Sequence, residues 1–461
     1  MSQLKAGLCV ADVTPPPGVT MAGYSSRDHG AESVETPLSV TALVLEGQGH
    51  FAAVALTDII GATADLTTAV REQVGRETDI PPEAVNVCGS HTHWGPALNA
   101  SGYLPEHLRK LVLPEYVDCL TRTISGALIA AWRERTEAFA GWGTGLADGI
   151  SFNRRPVTTE GKVAMNLTLP PEQASAASRE GLRLRDAWRV GGHKGPRLSP
   201  PLEAVQGLRA GVTDPYIPLL KLLLPDGSPL CGVISFACHP VVGGEDNFYA
   251  ISPDYPHEAR QAFEGVIGAP LGFALGCAGD QVPTWRGGDS RVRVGRSLGA
   301  AAAREWLNIR DCRGDVPVRT ARQEITIPVK ALPDVADAQE ALDACEDPES
   351  SAAAYQRHLL ALATRYQDKP GIETEIWAIR VGDWAAVTFP GEVLAEIGLQ
   401  VKQRSPFPVT GIMTVSYDAL GYISTADAHV EGGYEPGWSA PGPEAERVVV
   451  DAAVELLTCL V

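Results

Sequence analysis

The stretch Leu38-Ser39-Val40-Thr41-Ala42-Leu43-Val44-Leu45-Glu46-Gly47-Gln48-Gly49-His50-Phe51-Ala52-Ala53-Val54-Ala55-Leu56-Thr57-Asp58 decides how this chain is read. Val40, Leu43, Val44 and Leu45 make one strand-like apolar run, and Phe51, Ala52, Val54, Ala55 and Leu56 make a second. Between them Glu46-Gly47-Gln48-Gly49 supplies residues that permit a tight reversal, so the segment is a predicted β-hairpin ending on Asp58. The rhythm returns twice. Ile217 to His239 turns at Pro225-Asp226-Gly227-Ser228-Pro229, and Glu373 to Glu392 turns at Val381-Gly382-Asp383 before Pro390-Gly391-Glu392. A helix-like stretch follows each hairpin (Leu66 to Arg76, Tyr255 to Gly268, Leu394 to Arg404), and then a further apolar strand. Those third strands lead to His91, Asp280 and Tyr422. Strand ends, where loops begin, are where α/β architectures place their chemistry.

Pro114 to Arg135, Arg291 to Leu307 and Glu444 to Leu457 carry apolar residues at helical spacing and are expected to cover sheet faces. Glu172 to Leu198 is polar and weakly patterned, and reads as an insertion or lid. Ala331 to Tyr366 reads as a helical excursion between strands, and Gly141-Trp142-Gly143-Thr144-Gly145 as a turn. No linker divides the chain. The expectation is an α/β (mixed α+β) fold, one large domain over residues 1–461. Its mixed β-sheets are flanked by helices, its insertions lie near 172–198 and 331–366, and its metal site lies at strand ends.

Charge and cysteine usage narrow the partners. The 461 residues carry a formal net charge of −18, which argues against a nucleic-acid backbone or an anionic membrane surface. The 9 cysteines are scattered, odd in number and without a C-x-x-C pair, which indicates reduced thiols rather than a disulfide framework. The amino terminus shows no secretory pattern and no apolar run reaches membrane-spanning length, so the expected location is the cytoplasm. Nothing in the sequence sets the oligomeric state.

Cys88-Gly89-Ser90-His91-Thr92-His93-Trp94-Gly95-Pro96 places two of only 10 histidines one residue apart. Alternate residues of an extended segment face opposite sides, so a metal-facing His91 leaves His93 pointing away unless the following bend turns it back. That suits one ligand and one acid–base partner. His239, in Ala237-Cys238-His239-Pro240, and Glu392 are distant candidates for the same site. Histidine and carboxylate ligands with an open position describe a catalytic zinc centre. The plainer alternatives are a satisfied core histidine and a carboxylate answering a helix dipole. The G-x-S-x-G, Walker and H-E-x-x-H patterns are absent.

Gly89-Ser90-His91-Thr92-His93-Trp94-Gly95-Pro96 resembles the G-T-H-T-H-S-G-P motif of the neutral/alkaline non-lysosomal ceramidase family, in its N-terminal catalytic domain. Other landmarks follow in the family's order. They are Ala11-Asp12-Val13-Thr14 with Met21-Ala22-Gly23-Tyr24, Asp58, Phe152-Asn153-Arg154-Arg155, Cys238-His239-Pro240, Gly279-Asp280, Phe389-Pro390-Gly391-Glu392, and Gly421-Tyr422 with Tyr434-Glu435. The resemblance implies a zinc amidohydrolase with zinc held by His91, His239, Glu392 and Tyr422. It also implies that His93, Arg154 and Tyr434 line the site and handle the carbonyl or the attacking water; His93 or Asp58 is expected to accept the water's proton.

The chain departs from the family at several points. Val282 stands where the family carries a proposed catalytic serine, and a valine cannot be a nucleophile. The expectation is therefore a form without the family's C-terminal β-rich domain and without its usual secretory signal. Trp94 replaces a small serine and is expected to narrow the way to the metal against a bulky lipid. The resulting expectation is a metal-activated water cleaving an amide or related acyl bond in a small soluble molecule, without stable membrane association. A lactone, ester or cyclic-imide hydrolase, and a non-catalytic metal-stabilised binding protein, are the alternatives.

Overall fold

The computed structural model describes residues 3–100, 104–158, 161–163, 208–209, 211–244, 247–287, 289–348 and 350–461. The expected insertion at 172–198 lies outside them. The rest repeats one unit three times. The first unit comprises β1 (Lys5–Asp12), β2 (Ser39–Gly47), β3 (His50–Thr57), α1 (Ala64–Glu77), β4 (Val85–Gly89) and α2 (Pro114–Arg133). The second comprises β5 (Phe139–Leu146), β6 (Tyr216–Leu223), β7 (Pro229–Phe236), α3 (Tyr255–Ile267), β8 (Leu271–Leu275) and α4 (Ser290–Asn308). The third comprises β9 (Val318–Pro328), α5 (Val335–Asp343), α6 (Ser351–Tyr366), β10 (Gly371–Val381), β11 (Trp384–Thr388), α7 (Ala395–Arg404), β12 (Val409–Met413) and α8 (Ala445–Cys459).

Each unit builds the same sheet. The strand orders are β4-β3-β2-β1, β8-β7-β6-β5 and β12-β11-β10-β9. The hairpin and the strand before it pair antiparallel. The strand after the helix then pairs parallel to the second hairpin strand. A helix is what carries the chain back to begin a parallel strand. The carboxyl ends of the last two strands of every unit therefore share one edge.

The inner strands, such as β3, β7 and β11, are apolar on both faces because both faces are buried. Leu43, Leu45, Val54, Leu220, Val233, Trp377, Ile379 and Met413 come from all three sheets and share one core. The alternate residues Val40, Ala42 and Val44 face α1 and α2 in the first unit. Ile217 and Leu219 face α4 in the second, and Ile376 and Ala378 face α8 in the third. One side-chain period of two thus serves an inner core and three outer ones.

One departure from the sequence expectation matters. Gly141 to Gly145 lies within β5 rather than a turn. Its alternate glycines let α4 and the segment after it approach the strand: a Cβ at Gly143 would stand 2.2 Å from Glu305 Oε1 on α4, and one at Gly141 2.7 Å from Cys312 Sγ beyond it. The excursion after β9 forms two helices, and Ser350 caps α6 by accepting from Ala353 N at 3.1 Å. All nine cysteines are free thiols. No helix among the described residues is long and apolar enough to cross a membrane.

A buried ion pair ties the first unit to the third. Arg71 on α1 donates to both Glu375 oxygens on β10, at 2.6 and 3.0 Å, and to Val85 O at 2.8 Å. Arg322 on β9 adds a contact to the same carboxylate at 3.1 Å. Removing one partner of a buried pair leaves an uncompensated charge, so Glu375→Ala is expected to cost about 3–5 kcal/mol. The exposed pair Arg404–Asp451 makes the comparison: Asp451→Ala is expected within about 0.5 kcal/mol of the parent. Urea midpoints of the two variants check this.

Candidate metal centre and its cavity

His91 follows β4 with φ +68°, a left-handed conformation that only a few side chains other than glycine adopt with any frequency. Its N–H donates to Ile59 O at 2.9 Å. That one residue undoes the alternation of an extended segment, so His91 and His93 project to the same side, with their Nε2 atoms 3.3 Å apart. Gly23, at φ +94°, makes room for the second ring, since a Cβ there would lie 2.4 Å from His93 Nδ1. His239 follows β7 and is fully buried. Glu392 follows β11 in the two-residue strand Glu392–Val393, which pairs in parallel with Tyr422–Ile423 and sets Glu392 beside Tyr422.

The three units thus deliver their donors to one point. His239 Nε2 is 3.0 Å from Glu392 Oε2, and His91 Nε2 is 3.2 Å from the same oxygen. His91, His93 and His239 offer ligand nitrogens within 4.8 Å of one another. The protons of two of these rings are assigned by their partners. His91 Nδ1 donates to Ile60 O at 2.5 Å, and His239 Nδ1 donates to Ala278 O at 2.5 Å. Their Nε2 atoms accordingly carry lone pairs. Burial, opposed by the Glu392 hydrogen bond, holds His239 down to about 4. Burial also works against ionisation of Glu392, but His91 and His239 keep its carboxyl well below the usual carboxylate range. Two imidazole lone pairs and a carboxylate oxygen at this spacing repel unless a cation lies among them. Among the described residues, the buried His93 Nδ1 has no hydrogen-bond partner. The donor set fits a metal ion of the nitrogen- and oxygen-loving kind.

Beside this cluster is a cavity of about 690 Å³ lined by His91, His93, Arg154, Glu392, Tyr422 and Tyr434, among others. Arg154 is pinned there. Its Nε donates to Glu435 Oε1 at 2.8 Å and its Nη2 to the Tyr422 hydroxyl at 3.1 Å. The other Glu435 oxygen accepts from Arg155. Tyr434 packs against Tyr422 and Trp438, with ring centroids 5.6 and 5.5 Å away. The α6 helix walls the far side through His358, Leu362 and Arg365. Glu435 holds the arginine pair, although the sequence marks it only as the residue after Tyr434. The roles of α6 and of Arg286, also on the wall, left no sequence signal, because neither belongs to a strand end.

Two sequence expectations do not survive. Asp58 is no proton acceptor in the cavity. Its carboxylate is fully buried and taken up by Ser39 N and Oγ at 2.9 and 3.0 Å and by both Arg260 Nη atoms at 2.7 Å. It braces β2 against α3. Asp280 also braces, accepting from Asn153 Nδ2, Gln281 Nε2 and Ala395 N at 2.6, 2.9 and 2.9 Å. Trp94 does not border the cavity. It is 1% exposed, donates from Nε1 to Asn247 O at 3.0 Å, and lies between Tyr24 and the Arg291 guanidinium. Trp94→Ser is therefore expected to cost about 3–5 kcal/mol, read as a lower urea midpoint, and to leave the size of accepted ligands unchanged.

Near Asp280, burial and the neighbouring Glu446 and Asp280 carboxylates raise Glu396 to about 7. The folded protein then holds a proton that the unfolded chain has released between the ordinary carboxylate range and pH 7. Stability from this group is present at acid pH and lost as pH rises through about 7. Glu396→Gln is expected to stabilise by about 1 kcal/mol at pH 8 and to be neutral at pH 4, measured by urea unfolding at both.

No protein-family profile matches the sequence, and no curated protein does. Solved structures do. The chain is similar to the neutral ceramidase from Pseudomonas aeruginosa, with a TM-score of 0.69 at 16% identity, over 99% of this chain and 74% of that one. It is similar to a ceramidase complexed with C2, with a TM-score of 0.68 at 16% identity, over 99% of this chain and 75% of that one. The chain has the neutral ceramidase-like fold.

Proposed function

We propose that this chain is a zinc-dependent, ceramidase-like hydrolase that cleaves a non-peptide amide bond. On this reading the substrate is a small soluble molecule rather than membrane ceramide, and the protein works in the cytoplasm. The observation that carries the reading is the meeting of His91, His239 and Glu392 from three separate units, lone pairs inward, beside an arginine-bearing cavity. The fold shared with ceramidases supports it. The nine free thiols suit a reducing compartment.

His91, His239, Glu392 and Tyr422 would hold the zinc. Zinc bound there lowers the pKa of water towards neutrality and polarises an acyl carbonyl. The protein's own groups do the rest. Arg154, fixed by Glu435 and the Tyr422 hydroxyl, presents a preorganised positive charge to the oxygen that becomes negative. Tyr434, at the cavity wall, orients the carbonyl beside it. His93 moves the proton, since its Nδ1 has no partner among the described residues and its Nε2 faces the cluster. No serine is needed. Val282 is fully buried and stands opposite Phe152 in a two-strand pair, away from the cavity wall.

The test is metal content and hydrolysis measured together. Wild type is expected to bind about one zinc per chain and to hydrolyse an N-acyl amide, and His239→Ala to lose both. Hydrolysis that survives His239→Ala, or a folded protein that binds no metal, would falsify the reading. A panel containing lactones, esters and cyclic imides separates the amide from its alternatives, and zinc without turnover of any of them would mark a binding protein.

A further inference from the structure

The cavity's charge is opposite to that of its protein. The chain has a net charge of −18, yet the described cavity wall carries three guanidinium groups, on Arg154, Arg286 and Arg365, and one carboxylate, on Glu392. Arg154 is answered by Glu435. Arg365 is exposed at the rim, with its guanidinium 5.3 Å from the Tyr366 ring centroid. Arg286 differs from both. Among the described residues its buried Nε has no hydrogen-bond partner and its guanidinium forms no ion pair. The anion in its surroundings, Asp254, is already engaged by Arg291 Nε at 3.0 Å, Gly243 N at 2.9 Å and Val242 N at 3.2 Å. Tyr24, its other main neighbour, is held neutral, pushed up to about 12 by burial. Burial likewise moves the Arg286 guanidinium below its ordinary value.

A half-buried guanidinium with its Nε shut off from water and no counter-ion beside it costs stability, and such a cost persists where a ligand at its outer Nη edge offsets it. One planar fork matches the two oxygens of a carboxylate, whereas a tetrahedral phosphate takes donors from several directions. We propose that Arg286 anchors a carboxylate on the substrate, so that the molecule cleaved is an anionic N-acyl compound of the acylated amino-acid class. This rests on the hydrolase reading for the bond that is cut, but the carboxylate site stands on its own geometry. The positive wall would also draw such an anion in from an otherwise acidic surface.

The experiment compares N-octanoylglycine with the isosteric, uncharged N-octanoylglycinamide on zinc-loaded protein. Wild type is expected to prefer the acid at least tenfold in kcat/KM. Arg286→Gln is expected to raise KM for the acid about tenfold to a hundredfold, with kcat nearly unchanged and the amide unaffected. Arg286→Lys, which keeps the charge without the fork, is expected to fall between. Calorimetric binding of octanoate against octanamide gives a readout independent of turnover. If neither glycine compound is hydrolysed but octanoate binds wild type at least tenfold more tightly than Arg286→Gln, the hydrolase reading falls and the carboxylate site stands. Equal octanoate affinity in the two proteins, or an equal loss on both glycine compounds, overturns the proposal.

Discussion

One carboxylate oxygen of Glu392, placed 3.0 Å from one imidazole nitrogen and 3.2 Å from another, is the constraint around which the structure is arranged. Three groups that repel as neighbours are held together by backbone. Carbonyls of Ile60 and Ala278 fix the protons of His91 and His239 on the outer nitrogens, which turns both lone pairs inward. The short parallel pair Glu392–Tyr422 fixes the carboxylate from the third direction. Folding stability from three cores maintains an arrangement that would not hold by itself.

The threefold recurrence explains why the donors can meet. Each unit ends its last two strands on the same edge, and the shared inner core fixes how the three edges face one another. The first unit contributes His91 after its last strand. The second and third contribute His239 and Glu392 after the preceding one. No local segment could supply this set. The site is a property of the way three sheets pack, which is why Arg71 and Glu375, far from the chemistry, sit on the same chain of cause.

Much of this was legible in the sequence, for physical reasons. Hairpin turns, helical periodicity and apolar runs are local, so the three repeated units and the strand ends carrying His91, His239 and Glu392 could be read directly. What failed was what depends on neighbours distant in sequence. Gly141 to Gly145 looks like a turn until α4 is placed on it. Asp58 looks reactive until Arg260 arrives from the next unit. Trp94 adjoins His93 in sequence but belongs to the core, because the left-handed turn at His91 sends the chain elsewhere. Arg286 had no signal at all. Its significance lies in the partner it lacks among the described residues, and a missing partner is visible only in three dimensions.

The central claim is that these units converge on a cation through imidazole and carboxylate groups. X-ray absorption at the zinc edge of the purified, zinc-loaded protein addresses it most directly. The account predicts a shell of nitrogen and oxygen only, with the outer-shell scattering of imidazole rings, lost when His239 is replaced by alanine. Sulfur in that shell, or a spectrum unchanged by the substitution, would place the metal on the cysteines or the surface and contradict it.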